Sequence, residues 1–213
     1  MKYYAVRRGR KTGIFTDWAS CKEAVDAFPG AEFKSFKKES DALLYLDGVD
    51  PADIKPSLPS GLYFDGGTGL SAVLDRPVAE SNVTDESGTP MLSQAFFDSL
   101  PASFRFGTFH ERDAYKTILF SSEEGFTNNF AELYAFFLAL LLEPDEPSLF
   151  RPIYGDSELI LNKWSQGRIH VPDERTQLVA QQVMLLRKEF EYSGGQVLKI
   201  AGDDNPADLG FHK

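Results

Sequence analysis

The chain has 213 residues, 42% of them hydrophobic, with a formal net charge of −10, enough for one full core and a second small unit beside it. Its single cysteine, Cys21, excludes an intramolecular disulfide, and His110, His170 and His212 are too few and too scattered for a zinc cluster, so any catalytic metal must be held by oxygen. The N-terminus lacks the apolar run of a signal peptide and no stretch approaches the ~18 apolar residues of a membrane span, so a soluble, cytoplasmic protein is expected.

The excess of acid argues against a polyanionic partner, but its distribution does not. Residues 1–47 carry nine basic side chains against seven acidic ones, whereas the remainder carries 13 against 25. A basic head and an acidic body imply two different jobs.

In chain order, Tyr3–Arg8 and Thr12–Phe15 alternate as two short strands joined by the basic turn Gly9-Arg10-Lys11. Helical spacing runs from Trp18 to Phe28, with Thr16 or Asp17 as cap and Pro29-Gly30 as terminator; Glu32–Phe36 then reads as a strand and Ser40–Leu46 as a helix. Residues 48–60, with Pro51, Pro56 and Pro59 and almost no apolar periodicity, form a linker between a domain at 1–47 and another at 61–213. Beyond it, Gly61–Thr68, Val78–Asp85 and Tyr115–Ser121 read as strands, while the Phe-rich stretch Gln94–Asp113 yields no assignment. Asn129–Glu143 is apolar on nearly every side, the signature of a helix buried against a sheet. Strands at Arg151–Gly155 and Gln196–Ile200 and helices at Ser157–Gln166 and Glu174–Tyr192 complete a mixed α/β pattern.

Four acidic residues fall at the ends of these elements: Asp65 before Gly66-Gly67, Glu132 in Thr127-Asn128-Asn129-Phe130-Ala131-Glu132, Asp156 in Gly155-Asp156-Ser157, and Asp208 in Asn205-Pro206-Ala207-Asp208. Singly, each has a local reading: a turn residue, a capping-box glutamate three after Asn129, a helix cap, the start of a last helical turn. As an ordered set they resemble the Asp-Glu-Asp-Asp site of the ribonuclease H family, and the resemblance implies phosphodiester hydrolysis, which needs a deprotonated water and a neutralised leaving oxygen, both supplied by two Mg²⁺ ions about 4 Å apart. Mg²⁺ takes carboxylate, phosphate and water oxygens, and carboxylates clustered without a cation would repel one another.

The resemblance lies in order and spacing and covers Gly61 to Lys213. It implies an α/β fold with a mixed five-stranded sheet flanked by helices. It also implies an endonuclease that hydrolyses the RNA strand of RNA/DNA hybrids and leaves 5′-phosphate and 3′-hydroxyl ends. Asp65 and Asp156 would touch both metals, Glu132 would hold one while reaching the RNA 2′-hydroxyl, and Asp208 would complete the second shell, with Mn²⁺ able to replace Mg²⁺. Asn128 and Asn129 would lie in the minor groove, where the 2′-hydroxyl marks RNA, although one of them can also cap the helix. The chain departs from the family pattern in three places. The loop Ile200-Ala201-Gly202-Asp203-Asp204 has no mobile histidine, leaving His212 as the nearby substitute; Glu158 stands where a glutamine is common; and the sequence ends where a further helix would usually follow.

Within residues 1–47, Tyr4-Ala5-Val6-Arg7-Arg8-Gly9-Arg10-Lys11, Trp18 and Phe28-Pro29-Gly30-Ala31-Glu32-Phe33-Lys34 interleave aromatic and basic residues. This run resembles the small three-stranded α+β hybrid-binding domain of type 1 ribonuclease H, also found in viroplasmin-type proteins. It implies that Tyr4, Trp18 and Phe33 line the DNA strand, where sugars lack the obstructing 2′-hydroxyl, and that Lys34 binds a phosphate; Ser35 replaces a second lysine usual in that family. Tyr4 and Phe33 also qualify as core residues of a tiny domain. The expected protein is a monomer with no obligate protein partner. The rival readings are a non-catalytic hybrid- or duplex-binding protein with a decayed nuclease fold, and a related metal nuclease acting on DNA.

Overall fold

A computed structural model describes residues 2–51, 57–70, 77–121 and 124–208. The chain divides into two compact units, Met1–Ser57 and Leu58–Lys213.

In the first unit, β1 (Tyr3–Arg8) lies between β2 (Gly13–Phe15) and β3 (Glu32–Phe36) in an antiparallel sheet of order β2-β1-β3. Side chains alternate along β1. Val6 therefore packs with Cys21, Ala24 and Val25 of α1 (Trp18–Val25), while Arg7 on the opposite face gives two hydrogen bonds to the Tyr45 carbonyl of α2 (Glu39–Leu46), at 2.8 and 2.6 Å, and stacks on the Tyr45 ring. Asp17 is the cap of α1, accepting from the Ser20 N–H at 2.8 Å. The helix stops at Val25, short of the expected Phe28, because Asp26 leaves the helical region and Ala27 takes a positive φ of 51°. Asp50, within the expected linker, pairs with Lys34 of this first unit.

In the second unit, β4 (Leu62–Leu70), β5 (Pro77–Asp85), β7 (Tyr115–Phe120) and β6 (Thr108–Arg112) are antiparallel neighbours; β8 (Ile153–Gly155) runs parallel to β4, and β9 (Val197–Lys199) parallel to β8. The result is a mixed sheet of order β6-β7-β5-β4-β8-β9. It is flanked by helices as expected, with six strands among the described residues in place of five. The additional strand comes from the unassigned segment Gln94–Asp113, which forms α3 (Gln94–Ser99), a 3-10 turn and the edge strand β6. Aromatic docking explains why that segment has no clear period of its own. The Tyr134 hydroxyl, inside the core, donates to the Phe104 carbonyl at 2.7 Å and accepts from the Phe106 N–H at 3.3 Å.

α4 (Asn128–Leu141) is almost wholly buried, and its Phe136 ring stacks on Phe64 of β4 with centroids 4.7 Å apart. α4 also packs against α6 (Glu174–Tyr192), and α5 (Glu158–Asn162) follows β8. Leu62 and Phe64 belong to this central core, whereas Tyr63, between them, faces the opposite side of the sheet with Tyr154 and Ala207. Strand alternation gives Asp65 that second face as well. Among the described residues no helix is long and apolar enough to cross a membrane.

Candidate active site and nucleic-acid surface

Asp65 is 7% exposed and sits near the middle of β4, with Asn82 of β5 as its direct cross-strand partner. Asp156 follows β8 immediately. The parallel register pairs Tyr63 with Tyr154, and its continuation along both chains sets Asp156 level with Asp65. Asp208 closes a turn after the 3-10 segment Gly202–Asp204, its N–H donating to the Asn205 carbonyl at 3.1 Å. These three aspartates, with Asp203, line one cavity of about 270 Å³ together with Ala201 and Gly202. Sequence reasoning does not single out Asp203. Only the loop fold brings it to the wall, and its acidic type is the sole signal in the chain.

Two glycines beside the aspartates set the spacing. A Cβ on Gly66 would stand 2.2 Å from the Ala131 carbon and the Glu132 nitrogen, so β4 lies directly on the first turns of α4. A Cβ on Gly155 would strike the Phe64 ring at 2.2 Å. The Asp-Gly and Gly-Asp pairs therefore draw strand, helix and strand close around one point.

Glu132 is half-buried on α4 and held from two sides. Asn128 Nδ2 donates to its Oε1 at 3.0 Å and the Ser157 hydroxyl donates to its Oε2 at 2.6 Å. Asn128 in turn accepts from the Thr68 N–H at 3.1 Å, which ties β4 to the helix start. The capping readings of Glu132, Asn128, Asn129 and Asp156 do not hold. Thr127 is the cap, accepting from the Phe130 N–H, so Glu132 is no capping-box residue and neither Asn128 nor Asn129 caps; Ser157, not Asp156, caps α5. Asn129 is exposed. Ser157 is a second residue that sequence reasoning misses, although it follows Asp156 directly. Glu158 is exposed and bonded to Lys199, which holds its carboxyl below the usual range. His212 lies outside the described residues.

The carboxylates offer oxygen donors throughout, which suits a hard cation such as Mg²⁺ or Mn²⁺ rather than zinc. Among the described residues no group of three or more His, Cys, Asp or Glu side chains stands placed to hold a metal ion.

In the first unit Trp18 lies between Tyr4 and Phe33, with ring centroids at 5.6 and 6.0 Å. Trp18 and Phe33 are 48% and 41% exposed, so Phe33 is a surface residue and not part of the core; Tyr4 packs partly against the core behind. Lys34 adjoins this strip, but its ammonium pairs with Asp50 at 2.6 Å. Arg7 and Arg10 are committed to main-chain carbonyls of Tyr45 and Asp26.

A mixed α/β unit with acids gathered around one cavity beside its sheet, preceded by a small α+β unit with an exposed aromatic strip, is the class these features define. Residues 2–46 match the family described as "Ribonuclease H1 N-terminal domain". The chain is 52% identical to Ribonuclease H1 of Mus musculus over 51 residues, covering 24% of this chain and 18% of that protein, and 32% identical to Ribonuclease H of Crithidia fasciculata over 110 residues, covering 47% and 22%. It thus spans under a quarter of the length of these relatives. A solved structure, an RNase H1 isolated from compost by a metagenomic approach, is similar at a TM-score of 0.38 and 19% identity, covering 69% of this chain and 87% of that one. The sequence matches bear out the resemblance to type 1 ribonuclease H with its N-terminal domain.

Proposed function

We propose that this protein is an endoribonuclease that hydrolyses the RNA strand of RNA/DNA hybrids, leaving 5′-phosphate and 3′-hydroxyl ends, with the first unit as its hybrid-binding module. The observation that carries the reading is the common cavity of Asp65, Asp156 and Asp208, with Glu132 held beside β4 by Asn128 and Ser157. Asp65, Asp156, Asp208 and Glu132 would hold two divalent cations, Mg²⁺ with Mn²⁺ as a substitute. When bound, such cations supply a water acidic enough to deprotonate at neutral pH and neutralise the leaving oxygen.

The protein's own groups do the positioning. The Asn128 bridge between Thr68 and Glu132 fixes the glutamate's distance from β4, and the Ser157 hydroxyl couples it to the loop that carries Asp156. Exposed Asn129 at the helix start is available to the minor groove, where 2′-hydroxyls distinguish the RNA strand. Trp18, Phe33 and Tyr4 supply flat faces for the DNA sugars, and Lys34 a charge for a phosphate. The acidic second unit gains from this arrangement. A tether of the length of residues 48–60 spans roughly 20 Å and raises the local substrate concentration without a new catalytic contact. A cytoplasmic monomer is the form in which we expect it to act.

The deciding experiment is Mg²⁺- or Mn²⁺-dependent cleavage of an end-labelled hybrid by the whole chain. RNA-strand products that vanish in Asp65→Asn while hybrid binding persists support the reading. Binding without any cutting makes the protein a non-catalytic hybrid binder, and DNA-strand products make it a different nuclease. Removal of residues 1–47 is expected to weaken hybrid binding while cleavage at saturating substrate survives; unchanged affinity removes the tether.

A further inference from the structure

Asn82 stands directly across the β4–β5 ladder from Asp65. Residues opposite each other in an antiparallel pair point to the same face with Cβ atoms about 5 Å apart, so Asn82 shares the face of the sheet that carries Asp65. Its Nδ2 donates to the Ala207 carbonyl at 3.3 Å, one residue before Asp208. A second amide works from the other side of the same turn: Asn205 Nδ2 donates to the Phe64 carbonyl at 3.1 Å, one residue before Asp65, and its Oδ1 accepts from the Ala207 N–H at 3.1 Å. Asn82 and Asn205 are 8% and 5% exposed, and Ala207 between them is fully buried.

The consequence is geometric. Asp208 belongs to an irregular segment with no strand or helix of its own to locate it, yet its neighbour Ala207 is held through both its N–H and its C=O. Asn205 secures the turn to β4, and Asn82 reaches from β5 to the carbonyl of the peptide unit that leads into Asp208. The Asn82 oxygen has no hydrogen-bond partner among the described residues, and Asn82 lines a second cavity whose wall also includes Asp208. An amide buried at this depth for one long bond to a turn is costly to keep unless that bond matters.

We infer that Asn82 is a positioning residue of the acidic site, setting the separation of Asp208 from Asp65 by holding the Ala207 carbonyl across the ladder. The inference rests on reading the cavity as a divalent-cation site. Groups that orient metal ligands from behind typically change metal affinity or activity about 10–100-fold when removed.

The test compares the full-length chain with Asn82→Ala and with Thr84→Val, a change two residues along the same strand face at a side chain that makes no bond to the turn. Mn²⁺ binding is followed by calorimetry and amide exchange at Ala207 and Asp208 by NMR, with thermal unfolding as the control for folding. Asn82→Ala should bind Mn²⁺ about 10-fold more weakly and exchange faster at both amides, with Thr84→Val close to wild type. Asn82→Ser, whose shorter hydroxyl does not span the gap, should show the same losses if the alanine variant folds poorly. Wild-type exchange and Mn²⁺ affinity in a folded Asn82 variant overturn the inference. Amide exchange needs neither metal nor substrate, so a wild-type protein that fails to cut hybrids defeats the functional reading while leaving this comparison decisive.

Discussion

Gly66 of β4 lies against the peptide unit that joins Ala131 to Glu132 in α4, so close that a single added carbon would sit 2.2 Å from backbone atoms. Strand and helix touch there through main chain alone, and that contact brings the Asp65 strand and the Glu132 helix together. Gly66→Ala cannot be relieved by a rotamer change, because the obstacle is backbone. The variant is expected to lose about 1–3 kcal/mol of stability and most of its cleavage activity, measured by denaturant unfolding and by the hybrid assay. Unchanged stability would mean that the two elements separate freely.

Lys34 presents the second expectation. Its pairing with Asp50 competes with any phosphate, and an exposed pair of this kind contributes little to folding, about 0–1 kcal/mol. Asp50→Ala should leave the melting temperature nearly unchanged and tighten hybrid binding several-fold at low salt, a gain that fades as ionic strength rises. Binding isotherms at two salt concentrations check it. Weaker binding in the variant would show that Asp50 holds Lys34 in its working orientation.

Trp18 is the centre of the three-ring strip and is only half covered. Trp18→Ala should therefore weaken hybrid affinity at least about tenfold, as tryptophans at the centre of an interface do, with a small effect on unfolding. Cleavage at saturating hybrid should persist. A large loss of stability with little loss of affinity would make the ring structural.

Asp173 gives a pH signature. It caps α6, accepting from the Thr176 N–H at 2.9 Å and from its hydroxyl at 2.5 Å. Burial raises its carboxyl pKa, but the Thr176 bonds and Arg175 outweigh this and hold it below the usual 3.8. A depressed folded-state pKa stabilises above the unfolded value and ceases to do so as pH falls through the folded one. Asp173→Ala should cost about 1 kcal/mol at neutral pH, and the gap to wild type should shrink as the pH drops below about 4. Denaturant midpoints under neutral and strongly acidic conditions measure this; a gap independent of pH would assign the loss to packing.

Much of the fold is legible in the sequence because it depends on local spacing. The helical period of Glu174–Tyr192, the alternation of Tyr3–Arg8 and the apolar run in α4 reflect side chains meeting one core. Gln94–Asp113 is not legible in this way. Its phenylalanines answer to Tyr134 and Phe130, distant in sequence, rather than to a period of their own. Capping at α4 is ambiguous for a related reason: a threonine and an asparagine side by side can each cap, and only backbone geometry selects Thr127.

The sequence by itself determined which acids are present, in which order, and that an aromatic, basic unit precedes them. Residue type and spacing along the chain are enough for that, because carboxylate chemistry and strand ends are local properties. Tertiary structure alone decided that Asp203 joins the cavity, that Ser157 grips Glu132, that Asp50 occupies Lys34, and that Asn82 reaches the turn of Asp208. Each of the last three is a hydrogen bond or ion pair directed in three dimensions. Their partners stand 16, 25 or 125 residues apart, and nothing in linear spacing encodes their meeting, whereas Asn128 and Glu132, one helical turn apart, meet by helix geometry itself.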